Sequence, residues 1–181
     1  MADEPQYPTP SRQERRAAAD ADYLEFAAAR GPSMMRMACL LTGDWHLAED
    51  LVQETLGKVY VSWRRVSTAD SPNAYADAIL MRTFLSYRRK RSSGELPTGD
   101  MPEGGYEADD PGLRMALLDG LARLSARDRA VLVLRYWEDR SVEEAARALD
   151  MTAPAVRVQS LRALRRLRAL LGDQLPELAR R

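Results

Sequence analysis

One cysteine, Cys39, and one histidine, His46, are all the thiol and imidazole chemistry in the 181 residues. A lone cysteine forms no internal disulfide, and the pair cannot complete a Cys/His zinc cage. A histidine-dependent triad would rest on His46 alone, near the start of a helix. Cys39 sits in an apolar stretch, and both residues are read as structural. No uncharged apolar run approaches the ~18 residues of a membrane span. The first twenty residues, MADEPQYPTPSRQERRAAAD, contain no apolar core followed by a cleavage site, so no secretory signal is expected. Nor does any segment alternate apolar and polar residues between turn signals, which argues against a sheet. These absences point to a cytoplasmic, non-enzymatic, all-α protein without a metal or cofactor. With 45% hydrophobic and 30% charged residues, it is long enough for one ordinary domain or two small ones.

Lysine is also scarce, at two of 27 basic residues, and the 27 acids bring the formal charge to zero. The charges are not evenly mixed. Residues 82–93, RTFLSYRRKRSS, hold five bases and no acid, as do residues 154–171, PAVRVQSLRALRRLRALL. Between them, residues 94–112 hold six acids and no base. The local field decides which surface meets a polyanion, so two basic stretches imply two contacts with nucleic acid. Either stretch alone could be a solvated helix face.

The pattern divides the chain into a disordered tail (1–19), a helical module (20–93), a linker (94–112), a second helical module (113–171) and a short C-terminal tail (172–181). In the first module a helix is expected from Asp20 to Gly31-Pro32, then another over 33–41. Asp44 caps a long helix running through Val66, and Ser71 with Pro72 opens a further one reaching Arg91. The linker has five glycines, three prolines and no periodicity. Helices are expected over 113–124, 125–138, 141–149 and 152–171. SARD and SVEE resemble capping-box starts.

Residues 141–168, SVEEAARALDMTAPAVRVQSLRALRRLR, carry the strongest signal. A short capped helix with Ala145, Ala146 and Leu149 as its packing face meets a tight connection, then a helix rich in arginine. That is a helix-turn-helix pattern. Val156, Ala163, Leu164 and Leu167 take the inner face of the second helix. Arg157, Leu161, Arg162 and Arg165 point outward, where an α-helix fits the major groove. An ordinary helical hairpin with a basic surface is the alternative.

From about Tyr23 to Leu171 the sequence resembles the extracytoplasmic-function sigma factors, a two-domain group of bacterial RNA polymerase specificity subunits, and in detail an actinobacterial SigE-like subgroup. LTGDWHLAEDLVQETLGKVY resembles family region 2.1–2.2, SPNAYADAILMRTFLSYRRKR region 2.3–2.4, and residues 121–171 region 4. The resemblance implies promoter-specific initiation with no catalytic centre in the chain itself. Asp50, Gln53 and Glu54 would meet the clamp helices of the polymerase β′ subunit, and region 4 the β flap. Asn73, Tyr75, Arg82, Ser86, Arg88 and Arg89 would contact the −10 strand beside a base-capturing loop at residues 67–71. Thr152, Arg157, Val158, Leu161 and Arg162 would read the −35 element, with Arg165 and Arg166 on phosphates. Tyr75 could equally be core, and Phe84 and Trp63 are read as core. An anti-sigma factor is a possible partner. The alternative function is a helix-turn-helix regulator that never joins the polymerase.

Three positions depart from the family. Arg82 stands where asparagine is common, and Ala155 and Val158 replace frequent hydroxyl residues. The nineteen-residue linker could extend to roughly 65 Å at ~3.4 Å per residue. That exceeds the ~34 Å between successive turns of one DNA face. Two unlike modules could therefore read two separated elements.

Overall fold

The computed structural model describes residues 11–91 and 111–172, which fold into helices joined by short turns, with no strand among them. The expected linker lies almost wholly outside the described residues, as do residues 1–10 and 173–181. Four helices form the first module: α1 (Arg12–Thr42), α2 (Trp45–Val61), α3 (Trp63–Ser67) and α4 (Pro72–Arg91). Four more form the second: α5 (Pro111–Ala122), α6 (Ala126–Leu132), α7 (Val142–Leu149) and α8 (Ala153–Leu171). A wide helical turn over Val133–Trp137 extends α6. It is closed by hydrogen bonds from Glu138 N–H to the Val133 carbonyl and from Arg140 N–H to the Leu134 carbonyl.

The first module departs from expectation at its start. In place of two helices, α1 runs unbroken from Arg12, eight residues before Asp20 and through the Gly31-Pro32 pair. Ser11 and Glu14 make a reciprocal capping box, which satisfies N-terminal N–H groups that would otherwise lack partners. An alanine-rich sequence then propagates the turn, so residues 12–19 are helical, and exposed as far as 18, not a disordered tail. Pro32 removes one backbone donor, a defect costing ~3 kcal/mol in a helix interior. Burial of Met34, Met37, Ala38 and Leu41 immediately beyond it offsets that cost, because each Met or Leu side chain contributes about 1.5–3 kcal/mol when fully buried. The helix stops at Gly43, whose φ of 70° is the left-handed conformation that glycine adopts without penalty.

The other boundaries follow local chemistry. The Asp44 carboxylate accepts from the Leu47 N–H at 2.9 Å and opens α2. The helix expected to continue through Val66 pauses at Ser62 and resumes as α3. The Ser71 hydroxyl accepts from the Ala74 N–H at 3.2 Å and starts α4. Phe84, Leu80 and Met81 are fully buried on one side of α4, and Trp63 packs with Tyr23 and Phe26 in a smaller cluster around Val59, Val66 and Ala76.

The two modules share one core. Met34, Met37, Leu40 and Leu41 of α1 and Phe84 of α4 join a continuous buried cluster with Leu121, Leu132, Leu134 and Leu149 of the second module. The helices of the second module converge tightly at Gly120. A Cβ there would stand 2.9 Å from the Leu167 Cδ1 and 3.2 Å from the Leu171 Cδ2. Gly120→Ala is expected to be absorbed by small shifts of those leucine tips. Gly120→Ile should destabilise the fold by about 1–3 kcal/mol through overpacking, read as a lower urea midpoint with an unchanged slope.

Cys39 is 2% exposed, and burial raises its thiol from 9.0 to about 11. The two-unit rise alone lowers the thiolate fraction at pH 8 about 100-fold, and burial slows access further. Native protein is therefore expected to react with a disulfide dye at least ~100-fold more slowly than the urea-unfolded chain. The linkage sign follows. A raised thiol keeps its proton longer in the fold, so its contribution to stability is complete below pH 9 and declines as pH rises toward about 11.

Candidate nucleic-acid interface

In the second module, Ser141 and Glu144 form a reciprocal capping box at the start of α7, and the serine hydrogen bonds hold the Glu144 carboxyl below the usual carboxylate range. Ala145, Ala146 and Leu149 are buried, as expected of the packing face, and Ala148 is buried beside them. Asp150 takes a left-handed conformation, φ 53°, to turn the chain. The Thr152 hydroxyl then accepts from the Ala155 N–H at 3.4 Å, and α8 begins with Pro154 in its first turn, where no donor is needed. This is a helix-turn-helix.

The faces of α8 are sharply divided. Val156, Ser160, Ala163, Leu167 and Leu171 are buried, and Ser160 returns its hydroxyl to the Val156 carbonyl at 2.7 Å. Arg157, Val158, Leu161, Arg162, Arg165 and Arg166 are exposed in a stripe that repeats at helical spacing. Val158 and Leu161, 48% and 55% exposed, place apolar surface between the arginines. Such a stripe can reach guanine edges, thymine methyls and phosphates together. Two arginines already have protein partners. Arg157 meets Glu143 of α7 at 3.2 Å, and Arg166 donates to the buried Asp128 carboxylate at 2.8 Å. Asp128 also accepts from Gln159 at 3.0 Å, so α6 fixes the rotation of α8 by two bonds from one carboxylate.

In α4 the structure brings together four of the six residues assigned to the −10 contact. Tyr75, Arg82, Ser86 and Arg89 follow one stripe, seven, four and three residues apart, opposite the buried Ala76, Leu80, Thr83 and Phe84. Asn73 is exposed at the helix start but off this stripe, and Arg88 turns toward the second module, where its charge acts on Arg129. Tyr75 is half-buried against the cluster of Val59, Val66 and Ala76, so it is partly core while still bordering the loop at 69–71. In α2, Asp50, Gln53 and Glu54 form an exposed face, with Glu54 paired to Lys58 at 2.7 Å, and Leu51 is buried behind them. Among the described residues no cluster of three or more His, Cys, Asp or Glu could hold a metal, and no helix is long and apolar enough to cross a membrane.

Sequence reasoning missed a group of buried charges at the module boundary. Asp77 of α4, 1% exposed, accepts from Arg30 of α1 and from Arg140 of the second module, each at 2.5 Å. Arg30 in turn meets Glu138 at 3.2 Å. Burial works against the Arg30 cation, but Asp77 and Glu138 outweigh it and hold Arg30 above its ordinary range. Arg129, 2% exposed, donates to the Leu41 carbonyl near the end of α1 and to the Ala122 carbonyl at 2.8 Å near the end of α5. The negative ends of two helices thus hold a guanidinium that pairs with no carboxylate among the described residues. Burial, and then Arg88, lower Arg129 to about 10, which still leaves it charged at neutral pH. An acid inside the apolar run AYADAILM was the one visible signal for Asp77.

An outward basic recognition helix on a helix-turn-helix, joined to a second helical module with its own basic stripe, defines a two-module nucleic-acid-binding protein. Two family models match: Sigma-70 region 2 over residues 27–94, and Sigma-70, region 4 over residues 120–169. The RNA polymerase sigma-E factor of Streptomyces coelicolor is 34% identical over 149 residues, covering 81% of this chain and 84% of that protein. The RNA polymerase sigma factor CarQ of Myxococcus xanthus is 30% identical over 146 residues, covering 74% and 80%. Among solved structures, the sigma factor RpoE of Bartonella quintana, in complex with the anti-sigma factor NepR, superposes with a TM-score of 0.68 at 26% identity, covering 83% of this chain and 96% of that one. The chain belongs to the sigma-70 family, in its extracytoplasmic-function branch, and is related to the SigE-like actinobacterial factors. Its role is in transcription, and sigma factors are not enzymes.

Proposed function

We propose that this chain binds core RNA polymerase, directs it to −10 and −35 elements and assists duplex opening. The observation that carries the reading is the division of α8. Buried Val156, Ala163 and Leu167 lock one side, and Arg157, Val158, Leu161, Arg162 and Arg165 stand together on the other. On this reading α8 enters the major groove of the −35 element. The arginines pair with guanine edges or phosphates, and Val158 and Leu161 meet thymine methyls. Thr152 and Arg166 lie at the two ends of the stripe, where backbone phosphates pass; Arg166 leaves Asp128 to reach them. The start of α8 supplies unpaired N–H groups for a phosphate.

The α4 stripe of Tyr75, Arg82, Ser86 and Arg89, with the loop at 69–71, would hold the unpaired −10 strand. Asn73 and Arg88 would contribute at its margins. Extruding a base costs a few kcal/mol, and an aromatic ring with nearby cations can return it. Asp50, Gln53 and Glu54 would dock on the β′ clamp helices, and the second module on the β flap. Residues 20–93 and 113–171 then serve as the core/−10 and −35 modules, with 94–112 as the tether. An anti-sigma partner and membership of the SigE-like subgroup fit the same picture, as does a cytoplasmic location beside the polymerase.

The test is initiation in a purified system. Core polymerase with this protein and sheared genomic DNA should yield discrete transcripts that core alone does not make. A regulator that never joins the polymerase would bind DNA fragments yet start no transcript, and that result would overturn the proposal.

A further inference from the structure

Tyr75 and Arg82 form a ridge along α4 with an open cleft on each flank. At 100° per residue, Ala74 and Ala78 fall to one side of that ridge, and Ile79 and Thr83 to the other. The first cleft, beside the loop at 69–71, is the base-capturing cleft of the −10 reading. The second lies between α4 and α2, with a volume of about 340 Å³, inside the ~300–1,000 Å³ range of small-molecule sites. Tyr75 and Arg82 line both.

The second cleft has the chemistry of a nucleotide site. Ile79 and the Tyr75 ring give it apolar surface, Lys58 and Arg82 give it two cations, and Ser62 and Thr83 give it hydroxyls. No carboxylate lines it among the described residues. Several of these groups have little to do within the fold. Among the described residues the Tyr75 ring packs on no other ring and its hydroxyl makes no hydrogen bond. The Ser62 hydroxyl makes no cap bond to α3, unlike the serines that open α1, α4, α6 and α7. Arg82 has one long bond, 3.4 Å to the Arg147 carbonyl. Lys58 donates to the Thr83 hydroxyl at 3.0 Å, which aims it along the cleft wall, and to Glu54 at 2.7 Å. That ion pair is exposed on both sides and therefore weak, so a phosphate can take over the cation. We propose that the α2–α4 cleft receives a second unpaired nucleotide of the −10 strand, with its base against Tyr75 and Ile79 and its phosphate on Lys58. The inference rests on the assignment of the α4 stripe to the −10 strand. Because the two clefts share Tyr75 and Arg82, nucleotides of one strand can fill both, which a free nucleotide cannot do.

The test uses the protein assembled with core polymerase on a promoter fragment mapped in the initiation assay, its −10 region held open by mismatches. Bases of the unpaired strand are removed one at a time. With the unaltered protein, removal of either of two bases should weaken binding about tenfold, the scale of stacking on an aromatic side chain. Ser62→Leu fills the cleft and leaves Tyr75 and Arg82 in place; one of the two bases should then cease to matter while the other still does. Lys58→Gln is a second, independent variant, and it should lower the slope of log affinity against log salt by about 0.7, one single-strand phosphate contact. Circular dichroism melting confirms that each variant folds. Free deoxynucleoside monophosphates should not displace the strand, and efficient displacement would overturn the strand as occupant. One sensitive base only, or two that persist in Ser62→Leu with an unchanged salt slope in Lys58→Gln, would overturn the second cleft and leave the −10 assignment standing. A strand with no sensitive base would overturn the cleft and the assignment of the α4 stripe together.

Discussion

Replacing Arg157 and Arg162 together with alanine is expected to weaken binding to a −35 duplex by at least ~30-fold, since a good base-edge pairing is worth about 1–3 kcal/mol and two are removed. Both side chains are exposed, and among the described residues Arg157 alone of the two has a protein partner, Glu143 at 3.2 Å. An exposed pair of that kind contributes about 0–1 kcal/mol, so the fold should survive with Tm nearly unchanged. The salt dependence discriminates further. If the arginines contact phosphates, the slope of log affinity against log salt should fall by about two counterions; if they read base edges, specificity should relax while the slope holds. Fluorescence anisotropy of labelled duplex at three salt concentrations measures both. Val158 and Leu161 remain in this variant, so residual preference for thymine-bearing positions would report their share.

Charge reversal on α2 should have an effect of similar size on a different partner. Asp50→Arg with Glu54→Arg places two cations where the proposed clamp contact needs anions, and like-charge apposition across an interface costs several kcal/mol. Assembly with core polymerase should weaken by about 100-fold or more in a competition assay, whereas duplex binding through α8 should be retained. The loss of the Glu54 to Lys58 pair, 2.7 Å apart but exposed on both sides, costs only about 0.3–0.5 kcal/mol. Retained assembly would move the polymerase contact off α2. Each double variant thus removes one interaction and leaves the other as an internal control.

The helix-turn-helix was legible because local chemistry and burial agree there. Ser141, Glu144 and Thr152 mark the helix starts, small residues mark the close crossing, and the apolar positions of α8 fall on one face. The starts of α2 and α4 were equally legible from Asp44 and from Ser71 with Pro72. The start and continuity of α1 were not. Gly31 and Pro32 are breakers by propensity, and only the burial of Met34, Met37 and Leu41 keeps the helix going, which no local window shows. The buried charges at the module boundary were hidden for the same reason. Arg30, Asp77 and Arg140 are 47 and 63 residues apart in sequence; each arginine alone reads as an ordinary surface charge, and only the apolar run around Asp77 hints at burial. Tertiary contacts across the module boundary turn them into one buried network. For α4, composition identified the basic stretch, but only the helix phase separates Tyr75, Arg82, Ser86 and Arg89 from Arg88, which turns toward Arg129.

Crosslinking from both modules in one complex tests the central claim most directly. A photo-crosslinking amino acid replaces Asn73 in one version of the protein and Leu161 in another, each assembled with core polymerase on the same promoter fragment. The account predicts crosslinks at two distinct elements of a single duplex, at least one helical turn (~10 bp) apart, with the upstream one from position 161 and the downstream one from position 73. Crosslinks from both positions to one shared site, or an identical pattern when the polymerase is omitted, would contradict it.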